Sequence, residues 1–120
     1  MRLLQPCPSS PNCVSTVSPP HDAQHAIVPY TYSKTRFDAK AVLKSVLASL
    51  PRTQLVEEDD TYLHYECTSL LLRFVDDVEF LFDEASKTIH FRSASRVGYG
   101  DFGVNRRRME DIRSRLQGKL

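Results

Sequence analysis

Residues Leu71–Ser93 read LLRFVDDVEFLFDEASKTIHFRS, which is two alternating segments joined by a polar turn. Alternation places Val78 and Phe80 on one face of a strand and Asp77 on the other, because successive side chains of a strand point to opposite faces. Asp83–Ser86 is typical of a tight turn between paired strands. The stretch therefore predicts a β-hairpin at the centre of an antiparallel sheet.

Four strands are predicted around this hairpin by the same period of two. Their ranges are Thr53–Glu58, Tyr62–Ser69, Leu71–Phe82 and Lys87–Ser93. The short connections predict antiparallel neighbours, and the alternation predicts a sheet with one solvated face. A further candidate, Ala26–Tyr30, contains Pro29, which restricts that strand to a sheet edge.

Two helices complete the predicted fold. The first covers Phe37–Leu50, where apolar residues recur at helical spacing, with Thr35 as its cap and Pro51 at its end. The second covers Asn105–Gln117, with Asn105 as its predicted cap. The fold class is therefore α+β: an antiparallel meander sheet of four to five strands, with two helices (after the first strand and at the C-terminus) packed on one face.

Length and composition are those of one globular domain. The chain has 120 residues, of which 41% are hydrophobic and 26% are charged. Residues 1–25 contain five prolines and are predicted to form an irregular Pro/Ser-rich N-terminal arm, with residues 26–120 as a single α+β domain.

No stretch approaches the roughly 20 apolar residues of a membrane span. Residues 1–6 lack the apolar segment of a signal peptide, which favours the cytoplasm. No pattern predicts an oligomeric state.

The cysteines and histidines of the arm allow two interpretations. Cys7 and Cys13 are close enough for a disulfide but do not require one. With His21 and His25 they give the spacing C-x5-C-x7-H-x3-H, which fits none of the common zinc-finger patterns. We therefore predict no metal site and no cofactor.

The segment Arg92–Arg108 contains five arginines and three glycines. Within it, Gly98–Gly103 matches G-x-G-x-x-G between a predicted strand and a predicted helix. A dinucleotide site also needs a second parallel strand and an acidic residue about 20 positions further on. Neither follows before Leu120, so we expect no dinucleotide site. The net charge of +1 and the acidic open face of the sheet argue against nucleic-acid binding.

Three consecutive arginines, Arg106 to Arg108, fall in the first turn of the second predicted helix. Positive charge there opposes the helix dipole by a few tenths to about 1 kcal/mol per charge. A nearby anion is therefore expected. It could be internal, from Asp101 or the acidic strand, or an external small anion such as a phosphate, carboxylate or lipid headgroup.

Hairpin pairing places Glu79 near His90 or Arg92, which leaves three functional interpretations. An anion-binding module would hold its ligand with Arg92, Arg96, Arg106 and the glycine loop. A hydrolase-like enzyme would use Glu79 as acid/base, with Arg92 and Arg96 as electrostatic stabilisers. A structural or accessory module would use the same charges to join the glycine loop and the last helix to the sheet.

Three sequence blocks resemble the uncharacterised bacterial and plastid family catalogued as domain of unknown function 1499. The blocks are Cys7–Ser15, Phe74–Phe80 and Arg92–Arg108. The resemblance implies no activity, but it implies a set of shared polar positions, predicted here as an anion site or a buried polar network. These positions are Asp76, Asp77, Glu79, Arg92, Ser93, Ser95, Arg96, Asp101, Asn105 and Arg106.

Overall fold

The computed structural model describes residues 2–120 and confirms the α+β class. The strands are β1 (Cys13–Ser15), β2 (Tyr30–Thr31), β3 (Thr53–Asp59), β4 (Tyr62–Thr68), β5 (Val75–Asp83) and β6 (Thr88–Ser95). The helices are α1 (Arg36–Ala48) and α2 (Val104–Leu116). Across residues 2–120, no helix has the length and apolarity needed to span a bilayer.

The six strands form one antiparallel sheet in the order β1-β6-β5-β4-β3, and β2 pairs with β6 beside β1. The predicted hairpin is β5–β6, in which Glu79 lies opposite Arg92. The sheet exceeds the expected four to five strands because two short strands precede α1. The first helix accordingly follows two strands rather than one.

Three sequence expectations about the strands are corrected. Cys13–Ser15, expected to be irregular, forms β1 on the edge of β6. Of the strand expected at Ala26–Tyr30, only Tyr30 lies in a strand, the two-residue β2. Ala26 makes an isolated bridge to Ser15 of β1. The strand expected from Leu71 begins at Val75, because the chain turns at Arg73, whose φ is 58°.

The core lies between one face of the sheet and both helices. Phe80 and Phe91 are fully buried from the sheet side, while Leu43 of α1 and Ile112 of α2 are fully buried against them. Both helices therefore pack on one face, as predicted. At the start of α1, Thr35 accepts a hydrogen bond from the main-chain N–H at position 38, which is the expected cap.

The N-terminal arm lies over the other face of the sheet. The guanidinium of Arg2 stacks 3.9 Å from the ring centroid of Tyr62, and Leu4 is buried. Further along, the main-chain oxygen of Pro6 accepts a long hydrogen bond, 3.5 Å, from Arg92. Residues 2–6 thus cross the side chains that β4, β5 and β6 direct away from the helices.

A disulfide joins Cys7 to Cys13 and fastens the arm to β1. His25 is buried and bonds to the carboxylate of Asp22 at 2.7 Å and to the main-chain oxygen of Ser10 at 2.8 Å. Both cysteines of the C-x5-C-x7-H-x3-H spacing are therefore in the disulfide, and one of its two histidines, His25, is held by hydrogen bonds within the arm.

Candidate functional site

The acidic strand β5 faces arginines on both sides of the sheet. Asp76 points towards the helices, whereas Asp77 and Glu79 point away from them, since strand side chains alternate. The three ion pairs, with their N–O distances, are Asp76–Arg108 (2.6 Å), Asp77–Arg96 (2.8 Å) and Glu79–Arg92 (3.8 Å). The arginine-rich segment is therefore joined to β5 at three successive polar positions.

Asn105 is the centre of the polar network on the helix side, which we call the Asn105 network. Its side chain is fully buried within α2. Its Oδ1 accepts hydrogen bonds from Ser93 (2.6 Å) and Arg108 (2.9 Å). Its Nδ2 shares two hydrogens among three acceptors, which are Asp101 (2.8 Å), Ser95 (3.0 Å) and the main-chain oxygen of Asn12 (3.2 Å). One amide thus connects the arm, β6, the glycine loop and α2.

Asp101 supplies the anion at the start of α2. Its carboxylate accepts from the main-chain N–H groups of Gly103 (2.8 Å) and Asn105 (3.1 Å). Burial alone would raise the pKa of Asp101, but the hydrogen bonds from Asn105 and Gly103 outweigh it and hold that pKa below its ordinary value. The prediction that Asn105 caps the helix is wrong, because Asn105 lies inside α2 and Asp101 satisfies the exposed N–H groups.

The loop geometry at this point favours glycine. Gly103 has φ of 77°, and a Cβ there would approach Nη1 of Arg107 to 2.9 Å. Arg107 donates to the main-chain oxygen of Phe102 at 2.6 Å, across the turn that Gly103 makes. The last glycine of the G-x-G-x-x-G pattern is therefore explained by a turn and not by a nucleotide.

Only one of the three arginines at the start of α2 pairs with a carboxylate in the described part of the chain. Arg108 binds Asp76, whereas Arg107 binds a main-chain oxygen. Arg106 makes only long contacts, 3.4 and 3.3 Å, with the main-chain oxygens of Ala23 and Gln24. Internal carboxylates therefore account for part of the positive charge at this helix start, and Arg107 remains exposed.

On the arm side of the sheet, Arg96 bridges two acidic residues. It donates to Glu66 at 2.5 Å and to both carboxylate oxygens of Asp77 at 2.8 Å. His64 lies 2.8 Å from the same carboxylate. The pKa of Asp77 is lowered chiefly by the hydrogen bond from Arg96, against an opposing effect of burial, with a further contribution from His64.

Glu79, the candidate acid/base, is held by its neighbours under the arm. The hydroxyl of Tyr62 donates to Glu79 at 2.5 Å, and burial together with this bond raises the pKa of Tyr62. Arg92 lies 3.8 Å from the same carboxylate and contacts Pro6. Within residues 2–120, Nε of Arg92 is the buried side-chain nitrogen without a hydrogen-bond partner. These contacts favour a structural use of Glu79.

The structure divides the predicted site residues into two groups on opposite faces of the sheet. The helix-side group is Asp76, Ser93, Ser95, Asp101 and Asn105. The arm-side group is Asp77, Glu79, Arg92 and Arg96. Arg106 belongs to neither group. Arg92, Arg96 and Arg106 are therefore not brought together as one anion site.

Several residues of these networks were missing from the sequence-based site. They are Asn12, Tyr62, His64, Glu66 and Arg108. For Arg108 a signal was present, since it follows Asn105 by three positions and so shares its helix face. For Glu66 the signal was its cross-strand position opposite Asp77. The contact of Asn12 has no local signal.

A concavity of about 410 Å³ opens at the end of the sheet where α2 begins, and we call it the Arg52–Arg107 concavity. Besides these two arginines, its lining includes Arg108, Asp76 and Asp111 and the hydroxyl residues Thr53, Thr68 and Ser69. Arg52 donates through Nε to the main-chain oxygen of Thr68 at 3.1 Å. In the described chain neither Arg52 nor Arg107 pairs with a carboxylate. Asp76 is bound to Arg108, and Asp111 to Arg115.

Comparison with known proteins gives no match among curated proteins or solved structures. A family model, described as Protein of unknown function (DUF1499), matches residues 3–116 of the chain. The match includes all three sequence blocks, β1 to β6 and both helices. The chain therefore belongs to the DUF1499 family, as its sequence blocks implied.

Proposed function

We propose that this protein is a non-catalytic accessory module that binds a small anion in the Arg52–Arg107 concavity. In this proposal the pairing of the arginine-rich glycine loop with the acidic strand is structural. The observation that carries the proposal is that two exposed arginines without carboxylate partners in the described chain line one concavity with three hydroxyl side chains.

The charges around the concavity favour an anion. The two carboxylates in the lining are each bound by another arginine, at 2.6 Å for Asp76 and 3.0 Å for Asp111. The charges of Arg52 and Arg107 are therefore not offset by a direct partner. Guanidinium groups present several N–H donors in a plane that matches a phosphate or carboxylate. A volume of about 410 Å³ also falls within the range of small-molecule sites.

The hydrolase-like alternative, with Glu79 as acid/base, has less support. A general base must come within hydrogen-bond reach of the proton that it abstracts. Glu79 accepts from Tyr62 and faces Arg92 on the opposite side of the sheet from the concavity. Under our proposal, Glu79→Gln leaves anion binding unchanged and lowers only the stability of the fold.

A thermal-shift titration with inorganic phosphate tests the proposal. Binding at ten times Kd adds about 1.4 kcal/mol to the free energy of unfolding, which raises Tm by roughly 5 °C for a domain of this size. We expect this rise for the wild type and its loss in Arg52→Gln and Arg107→Gln. The matched control is Arg36→Gln, which removes the same charge at the first residue of α1, away from the concavity.

Two results would overturn the anion site. One is a phosphate shift of equal size in Arg107→Gln and Arg36→Gln. The other is no shift in the wild type with phosphate, sulfate or carboxylates over a millimolar range. A phosphate shift that is lost in Glu79→Gln, in a variant that still folds, would instead favour the alternative.

A further inference from the structure

The loop between β4 and β5 exposes three consecutive leucines. It is closed by two hydrogen bonds of 2.8 Å, from the N–H of Ser69 to the oxygen of Phe74 and from the N–H of Phe74 to Oγ of Ser69. Leu70, Leu71 and Leu72 form its tip, and Leu71 is 86% exposed. Single exposed apolar residues are ordinary, but a contiguous exposed run indicates an interaction surface.

The glycine loop between β6 and α2 also exposes apolar side chains. Val97 and Tyr99 are exposed, and Phe102 is 95% exposed. Phe102 has φ of 54°, a conformation that bulky residues rarely adopt. Asp101 and Arg107 hold the turn by their bonds to the main chain. A fixed, unfavourable backbone thus directs an aromatic ring into solvent, which points to a function at this position.

Both loops project from the same end of the sheet. Thr68 at the end of β4 lies opposite Val75 at the start of β5. The next residue of β5 pairs with Ser95 at the end of β6, and the N–H of Arg96 donates to the oxygen of Val75 at 3.1 Å. The leucine loop and the Phe102 loop therefore leave neighbouring strands side by side.

Exposed positive charge surrounds these two loops. Arg73 is exposed in the leucine loop, and Arg52 and Arg107 line the adjoining concavity. None of the three has a carboxylate partner in the part of the chain that the structure describes. The nearby carboxylates are already bound, Asp76 by Arg108, Glu66 and Asp77 by Arg96, and Asp101 by the start of α2.

We propose that this end of the sheet docks on an anionic lipid bilayer, with the leucine loop and the Phe102 loop entering the interface and Arg52, Arg73 and Arg107 contacting lipid phosphates. Convex apolar tips can insert between headgroups, and an arginine rim complements anionic lipid. The arginine part of the proposal rests on the proposed anion site, whereas the apolar loops support it independently.

Flotation of the full chain with lipid vesicles tests the docking. We expect binding to vesicles of phosphatidylcholine with about a third phosphatidylglycerol, weak binding to phosphatidylcholine alone, and release by salt. Leu71→Gln and Phe102→Gln should each weaken binding about tenfold, because each removes an apolar side chain from the interface. Arg73→Gln should weaken it about fivefold. The matched controls are Leu3→Gln and Phe37→Gln, which change apolar residues elsewhere that are 73% and 81% exposed.

Three results would overturn the docking proposal. The first is no binding to anionic vesicles. The second is equal binding by Phe102→Gln and Phe37→Gln. The third is a protein that does not bind vesicles and that sedimentation shows to be a dimer, which Leu71→Gln dissociates. In that case the loops would contact a second copy of the chain. Phosphate shifts separate this proposal from the anion site: Leu71→Gln should keep the phosphate shift while its vesicle binding weakens about tenfold. Vesicle binding without any phosphate shift would reject only the anion site.

Discussion

Replacing Asn105 by alanine removes the centre of the Asn105 network and leaves the α2 backbone in place. The variant loses the hydrogen bonds of one buried amide, at most four for its two N–H hydrogens and two oxygen lone pairs, each with a net contribution of about 1 kcal/mol. Part of this loss is recovered. Arg108 still donates to Ser93 at 3.1 Å, Asp101 keeps its bonds to the main chain, and alanine favours the helix by about 0.5 kcal/mol.

We therefore expect Asn105→Ala to lower the free energy of unfolding by about 3 kcal/mol. For 120 residues this corresponds to a fall in Tm of roughly 12 °C. Urea unfolding followed by far-ultraviolet circular dichroism measures the change by linear extrapolation. The surface control is Gln54→Ala, which changes an exposed side chain of β3 and should stay within about 0.5 kcal/mol of the wild type.

A second variant, Asn105→Leu, separates the hydrogen bonds from the volume of the side chain. Leucine occupies the site but leaves the buried partners of Asn105 without their bonds, so it should be at least as destabilising as alanine. A loss below about 1 kcal/mol in Asn105→Ala would refute the reasoning, and so would wild-type stability in Asn105→Leu.

Three further predictions concern charge and sulfur. The hydrogen bond from Arg96 lowers the pKa of Asp77, so this pair stabilises the fold above the unfolded pKa, and the stabilisation is lost as pH falls through the folded pKa. Acid unfolding followed by circular dichroism below about pH 5 should be shallower in Asp77→Asn; an unchanged acid limb would contradict this. Reduction of the Cys7–Cys13 disulfide should lower the free energy of unfolding by about 2 kcal/mol in urea titrations, and Cys7→Ala/Cys13→Ala should not respond to reductant. Burial raises the pKa of the Cys67 thiol, so thiol reagents should label it only as the protein unfolds, and rapid labelling of the native protein would be the opposite result.

The helices and the central hairpin could be predicted because their signals are local. The apolar period of α1, Thr35 before it and Pro51 after it lie within one short segment. The alternation of β5 and β6 likewise predicts which face Phe80 and Phe91 occupy, and hence where the core lies. In each case neighbouring residues carry the information.

The parts that the sequence did not reveal depend on distant contacts. Cys13–Ser15 has no strand period of its own, and it becomes β1 because the edge of β6 offers unpaired main-chain groups. Asn105 has the residue type of a helix cap, yet it is buried by contacts with Asn12, Ser93 and Ser95. Arg92 pairs with Glu79 on the arm side of the sheet, whereas Arg106 lies on α2 and contacts Ala23 and Gln24, a separation that no pattern of charges specifies.

The pairing of Cys13 with Ala94 also governs the order in which the protein can assemble during synthesis. Translation produces β1 before the other strands of the sheet and its neighbour β6 after them, so this edge of the sheet can close only when all the other strands have been made. Because contacts between residues distant in sequence form slowly, we expect the four-strand meander to assemble first and the arm to join it afterwards. Among the strands of this sheet, the one made first is thus the last to reach its place.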